Sequence, residues 1–284
     1  ASAESFWPWP SATAPAPTRR RRSANAARSA RKIGLGLLGI LGMLATWQLI
    51  PTLGIVNPQY LPYATETLAN LFGEMRDLEF WRNVGRTLSL WGTGLAIATV
   101  AAIVLGTLVG LSRFLRKATH TTVEFLRPIP SVALIPVAIL IFGLQPQAGL
   151  VIIVYATFWQ VFVQVLYGVA DIDTVARDTA RSYGLSTLSQ FRSLIFPTSL
   201  PYLMTGLRLG AAVALILTIT AELVIGIPGI GSQITTALTV GDWLTVYTYV
   251  LVSGILGLIV NLLFRFIERH ALSWHQSVRG EEVL

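Results

Sequence analysis

The chain of 284 residues contains no cysteine, which excludes a disulfide framework, a thiol nucleophile and a thiolate metal site. Histidine is almost as scarce. His120, His270 and His275 are scattered and form no ligand-spaced pair, so no metal site is expected. Only two lysines occur, Lys32 and Lys117, each directly after an arginine, and no GxxxxGK(S/T) sequence is present. Without that phosphate-cradling loop the chain is not expected to hydrolyse ATP, which argues against an exporter half carrying its own nucleotide-binding domain. No filter-like run supports a channel. An ion-gradient-driven secondary transporter is the alternative function, but no internal repeat is visible and Glu222 is the one acid clearly inside an apolar run.

Charge is the remaining deficit. Only 12% of residues are charged, 53% are hydrophobic, and the mean hydropathy is +0.63. A soluble domain has about a quarter of its residues charged, so the class is an integral membrane protein. Apolar segments fall at 33–50, 87–112, 129–145, 149–169, 200–225 and 244–266. Each is near the roughly 20 residues that a helix needs to cross the hydrocarbon core, the third being shortest. The first has an apolar core longer than that of a signal peptide, and no small-residue cleavage site follows at Pro51, so it is read as a retained span.

A net charge of +7 would suit nucleic acid, but its placement suits a membrane instead. All but Arg76, Arg82 and Arg86 of the 21 Lys and Arg residues fall on one side of a six-span arrangement. The positive-inside rule makes that side, and both termini, cytoplasmic, and no nucleic-acid partner is expected. Residues 1–32, rich in Pro, Ala, Ser and Arg, read as a disordered basic tail, with anionic lipid as a possible partner of Arg19 to Arg22. Residues 33–270 read as the transmembrane domain, and 271–284 as a cytoplasmic tail. Between spans one and two, Thr65 and Glu66 open a short outer helix with Leu68, Leu71, Phe72 and Met75 on one face.

The cytoplasmic segment 170–200 is unlike a plain connector. Val175, Thr179 and Ala180 share a helix face, and Gly184 permits the positive φ that ends a helix sharply. Ser186 or Thr187 can cap a second helix through Leu188, Phe191 and Leu194. Pro197 is expected to break that helix and Pro201 to open the fifth span. Within the membrane, Pro130 and Pro136 interrupt the third span, and the freed carbonyls require protein or a water-filled cavity around them. Gln160 and Gln164 lie on one face of the fourth span. Gly106 with Gly110, and Gly206 with Gly210, are small-xxx-small pairs suited to close helix packing. Glu222 is a costly intramembrane carboxylate that needs a partner or a cavity.

The 178–197 segment resembles the EAA loop of ABC importer permeases. Asp178-Thr179-Ala180 stands for E-A-A, Gly184 for the following glycine, and Leu194-Ile195-Phe196-Pro197 for I-x-L-P. Asp replaces Glu, Thr replaces the first Ala, and Leu and Phe alter the closing quartet. Leu126-Arg127-Pro128-Ile129-Pro130 through Pro136 and Phe142-Gly143 resembles the third-span segment of the nitrate, sulfonate and taurine permease subfamily. The resemblance covers residues 33 to 270 and implies an all-α membrane protein with the six-helix type I importer permease fold, in a bacterial cytoplasmic membrane. It implies ATPase-coupling roles for Asp178, Thr179, Ala180, Gly184, Leu185 and Pro197. With it, Pro130, Ser131 and Pro136 are expected to line a translocation pathway; Gln160 and Gln164 line it or bond a neighbouring helix, and Glu222 beside it has a structural or gating role, a substrate contact or a proton-transfer role. The resemblance further implies a homodimer served by two cytoplasmic ATPase subunits, which bind the ATP and Mg, and by an extracytoplasmic solute-binding protein, with no cofactor in this chain. The implied solute is a small anion or polar organic molecule, with sulfonate or taurine first and nitrate or bicarbonate next.

Overall fold

The computed structural model describes residues 19–272, and the expectations for residues 1–18 and 273–284 lie outside the described residues. The chain divides into two compact units, Ala1–Ala64 and Thr65–Leu284. In the first, α1 (Arg19–Thr52) begins well before the apolar stretch, inside the basic segment expected to lack structure. Alanine and arginine are strong helix formers, and residues 19–32 continue the spanning helix without a break. Gly34–Thr52 is long and apolar enough to cross a membrane. Beyond it, the Trp47 indole N–H donates to the carbonyl of Pro62 at 3.1 Å, pinning the following turn to the helix.

The second unit opens with α2 (Ala64–Glu74), the short helix that Thr65 and Glu66 foretell. Leu71 is buried, whereas Phe72 and Met75 are exposed. Its polar edge is tied down: Asn70 donates to Thr248 Oγ1 at 3.0 Å, and Glu74 accepts from the Tyr249 hydroxyl at 3.0 Å. Then come α3 (Leu78–Leu111), capped by Asp77, and α4 (Arg113–Leu126), capped by Ser112. After a 3-10 turn (Ser131–Leu134) follow α5 (Ile135–Phe142) and α6 (Pro146–Ala170). Next are α7 (Thr174–Ser182), α8 (Thr187–Gln190), a π-helical stretch (Phe191–Ile195) and α9 (Phe196–Ile225). The described chain closes with α10 (Ile230–Val240) and α11 (Trp243–Ala271).

Four stretches of this unit are long and apolar enough to span: Leu78–Leu111, Pro146–Ala170, Leu188–Ile225 and Trp243–Ala271. The expected third span, 129–145, differs. Its α-helix has only 8 residues, too few to cross alone, and the Ser131–Phe142 segment meets α4 at 83° as one bent pair. Counted as a broken span, that pair makes the total six. The cause is the Arg127-Pro128-Ile129-Pro130 sequence: neither proline has an N–H to continue the helical ladder, and although Arg127 keeps helical φ and ψ, Pro130 is extended, at φ −61° and ψ 114°. Pro136 interrupts nothing; it lies in the first turn of α5, where no donor is needed.

The core is a sandwich with α6 in the middle. On one side α3 presents Gly94, Ala98, Ala102, Gly106 and Gly110 at four-residue intervals, all buried. A Cβ at Gly94, Gly106 or Gly110 would press on Ile153, Val165 or Val169 of α6. On the other side α9 presents Gly206 to Gln164 and Gly210 to Val161 and Thr157. Lipid is as apolar as leucine, so helices in a membrane gain by close backbone approach rather than by hydrophobic exclusion, and these small residues permit it. Arg208 of α9 and Glu268 of α11, paired at 3.1 Å, join a further helix to the sandwich at its arginine-rich end.

Candidate functional site

The 173–201 segment folds as a bracket. The Asp173 carboxylate caps α7 by accepting the Val175 N–H at 2.8 Å. At the other end Gly184 has φ +70°. Leu185 N–H there donates to the Ala180 carbonyl at 3.0 Å, closing a Schellman turn. The Gln190 amide then donates to Leu185 O at 2.8 Å, and Ser186 Oγ accepts the Ser189 N–H at 3.3 Å. The base of the bracket is held by the Tyr202 hydroxyl, which donates to Asp171 Oδ2 at 2.9 Å.

Pro197 does not break the second helix. A π-helical stretch over Phe191–Ile195 runs straight into α9, with the Phe196 N–H bonded to the Phe191 carbonyl, and Pro197 lies in the first turn of α9 with Pro201 inside it. A proline ring crowds the carbonyl four residues back and leaves it without a donor; widening the helix by one residue per turn before Pro197 accommodates the ring. The bracket therefore leads without interruption into the membrane as one 38-residue helical stretch, Leu188–Ile225.

Of the residues nominated for coupling, α7 and its turn bring Asp178, Thr179, Ala180, Gly184 and Leu185 together, with Pro197 on the following helix. They do not share one face. Asp178 lines a cleft with Arg113, Arg116, Arg177 and Arg181, whereas Thr179 is exposed on another side of α7. Val175, Tyr183 and Leu188 stand 70%, 82% and 76% exposed.

Glu222 sits at the opposite end of α9 and is completely buried. Its Oε2 accepts from the Gly231 N–H at 2.9 Å and from the Thr87 hydroxyl at 3.0 Å. Thr87 Oγ1 in turn accepts the Ile230 N–H at 2.9 Å. The carboxylate thus occupies the N-terminus of α10, where free N–H groups and the helix dipole favour negative charge, and a single side chain joins α3, α9 and α10. Glu222 Oε1 has no hydrogen-bond partner among the described residues. Thr87, Ile230 and Gly231 were not singled out from the sequence as partners of Glu222. The intramembrane acid implied some partner, but a contact 135 residues away in the chain leaves no local signal.

The other pathway nominees lie at the periphery of the single chain. Pro130 and Pro136 are exposed and Ser131 is half-buried, so this segment faces outward from one copy rather than into its core. Gln160 is exposed and Gln164 half-buried near the middle of α6. Neither amide has a hydrogen-bond partner among the described residues.

A cavity of about 730 Å³ opens between α3, the start of α6 and the Ile227-Pro228 turn. Along α3 it is lined by Arg82, Arg86, Ser89 and Thr93, at i, i+4, i+7 and i+11, and across from them by Gln147. Both arginines pair with Glu79, at 3.3 and 3.1 Å. None of the residues nominated for the pathway lines this cavity.

Residues 98–272 match the family described as the binding-protein-dependent transport system inner membrane component. The taurine transport system permease of Escherichia coli (strain K12) is 27% identical over 88% of this chain and 93% of its own length. The bicarbonate transport system permease of Synechococcus elongatus is 29% identical over 84% and 89%. A methionine ABC transporter solved in an inward-facing conformation superposes with a TM-score of 0.59 at 19% identity, covering 68% of this chain and 96% of that one. The bracket, the bent third span and the small-residue sandwich thus stand within a known architecture: the chain belongs to the binding-protein-dependent transport family, as a multi-pass inner-membrane permease subunit of an ABC importer with the type I permease fold.

Proposed function

We propose that two copies of this chain enclose a pathway for a small anionic or polar organic solute, sulfonate or taurine ahead of bicarbonate or nitrate, with both termini in the cytoplasm. The taurine and bicarbonate permeases among its relatives support a small solute that bears an anionic group. A separate ATPase pair supplies the energy and an outer binding protein supplies the solute. The amides of Gln160 and Gln164 support the dimer. An amide without a partner at membrane depth costs several kcal/mol, so their face meets a second copy or water rather than lipid. Residues Pro130, Ser131 and Pro136 lie on surfaces that a second copy would cover, as a pathway between subunits requires.

The observation that carries the coupling role is the trio Val175, Tyr183 and Leu188, left exposed on a bracket that is otherwise capped and hydrogen-bonded. Exposed apolar side chains on a braced turn are contact points for a protein. Closure of the ATPase pair draws two such brackets together, and their continuity with α9 carries that movement into the membrane. Glu222 acts at the outer end of the same helix by fixing α10 to it.

The test is purification of the tagged chain with its ATPase subunits. Wild type should retain them, and Tyr183→Asp with Leu188→Asp should lose them while reaching the membrane at normal levels. Normal uptake and a full complement of ATPase in that variant would remove the bracket from the mechanism.

A further inference from the structure

A second cleft, of about 540 Å³, lies where α3 and α6 end on the arginine-rich side of the membrane. Arg113 and Arg116 reach it from the start of α4, and Arg177 and Arg181 from α7. One acidic residue, Asp178, lines the cleft with the four arginines, and no ion pair forms between it and any of them. Arg116 donates to the carbonyl of Gly110 and so closes the end of α3. Arg113, Arg177 and Arg181 have neither ion pairs nor side-chain hydrogen bonds among the described residues. The floor of the cleft is apolar, formed by Val169 and Ile172, both buried.

We propose that this cleft seats the phosphate of an anionic membrane lipid. The excess of guanidinium groups calls for a counter-anion, and a phosphate oxygen pair matches their forked donors. The position selects a lipid. The cleft opens at the ends of two spanning helices, at headgroup depth, over an apolar floor that can meet the first carbons of an acyl chain; basic pockets of this kind between spanning helices on the cytoplasmic side hold lipid headgroups. On the function proposed above, the ATPase docks against the exposed Val175 and Tyr183, so that of the residues matched to the coupling loop only Asp178 is shared with the cleft. Thr174, Arg177, Asp178 and Arg181, at i, i+3, i+4 and i+7, turn one face to the cleft. Val175, Thr179 and Tyr183 fall on the other face and are exposed. A lipid bound there braces α7 from the membrane side and leaves its docking face free. The site depends only on the chain lying in a membrane, so it stands or falls separately from the transported solute.

The experiment uses the purified full-length chain in detergent, offered equal amounts of phosphatidylglycerol and phosphatidylcholine with identical acyl chains, with bound lipid read by native mass spectrometry. Phosphatidylglycerol should be retained selectively. Arg113→Gln with Arg177→Gln should weaken that retention roughly thirtyfold, each basic residue near a membrane surface contributing roughly fivefold. Arg181→Gln alone should lose about fivefold, and Arg177→Lys should keep most of the binding. Inorganic phosphate at millimolar concentration should leave the lipid in place. Equal retention of the two lipids, or retention unchanged in the double variant, overturns the proposal. Displacement by inorganic phosphate would assign the cleft to a free anion instead. Loss of lipid when the ATPase subunit is added would assign it to the protein interface.

Discussion

The Glu222 carboxylate and the backbone N–H of Gly231, 9 residues apart in the chain, are joined by a 2.9 Å hydrogen bond in a fully buried site. A charge-bearing side chain in the membrane is here a structural fastener: it satisfies the exposed end of α10, and Thr87 completes the node from α3.

Glu222→Gln is therefore expected to fold and to keep substantial transport, since an amide oxygen can still accept from Gly231. The loss should be about 1 kcal/mol, the net worth of one weakened hydrogen bond. Glu222→Leu strands the Gly231 N–H in a dry site, at about 1–3 kcal/mol for each buried polar group left unpaired, and should abolish transport. Uptake assays beside thermal unfolding in detergent check both. Loss of uptake in the glutamine variant at unchanged stability would give Glu222 a role in the solute's path instead.

Gly231 admits no side chain. A Cβ there would meet the Ile219 carbonyl and lie 2.7 Å from Glu222 Cβ and 2.8 Å from the Leu223 N. Two of those obstacles are backbone and cannot rotate away, so Gly231→Ala should destabilise by about 1–3 kcal/mol, as overpacking does. Gly73, inside α2, has nothing within 4 Å of the same position. Gly73→Ala should be neutral or stabilise by about 0.4–1 kcal/mol through lost unfolded-state freedom. Melting temperatures of the two variants, measured side by side, should move in opposite directions or at least differ in this order.

Gly184 is a backbone requirement and nothing more. Its φ is +70°, yet a Cβ would find open space. Gly184→Val should cost about 1–3 kcal/mol of local strain, leave membrane insertion intact, and uncouple uptake from the ATPase. Gly184→Asn should retain most activity, because asparagine visits the left-handed region routinely. Uptake and co-purified ATPase, compared across the pair, separate a conformational demand from a steric one.

The long-period features could be read from composition and spacing. Apolar runs gave the spanning helices because length and hydropathy act locally, and Gly184 announced its turn because few other residues tolerate that φ. Pro197 was misread for a physical reason: proline forbids one hydrogen bond but does not dictate that the helix end, and a π-helical stretch is an equally good answer that no single residue type signals. The third span fell short because two closely spaced prolines, Pro128 and Pro130, turn the chain before it has the length to cross. Glu222 was recognisable as an anomaly, while Thr87, Ile230 and Gly231 were not. The arginine cleft was invisible for the same reason: its members come from α4 and α7, about 60 residues apart, and each alone reads as a topology charge.

The packing of α6 between two ladders of small residues has a mechanical consequence. Helices whose backbones interlock along their whole contact cannot slide or shear past one another without lifting side chains out of their seats, so α3, α6 and α9 pivot as a single slab. A 25-residue helix such as α6 is about 38 Å long at 1.5 Å per residue. A tilt of about 10° imposed at its Ala170 end would then carry the Pro146 end through roughly 6–7 Å. That is wide enough to open or shut a passage for a molecule the size of a sulfonate, using a lever rather than a signal passed from residue to residue.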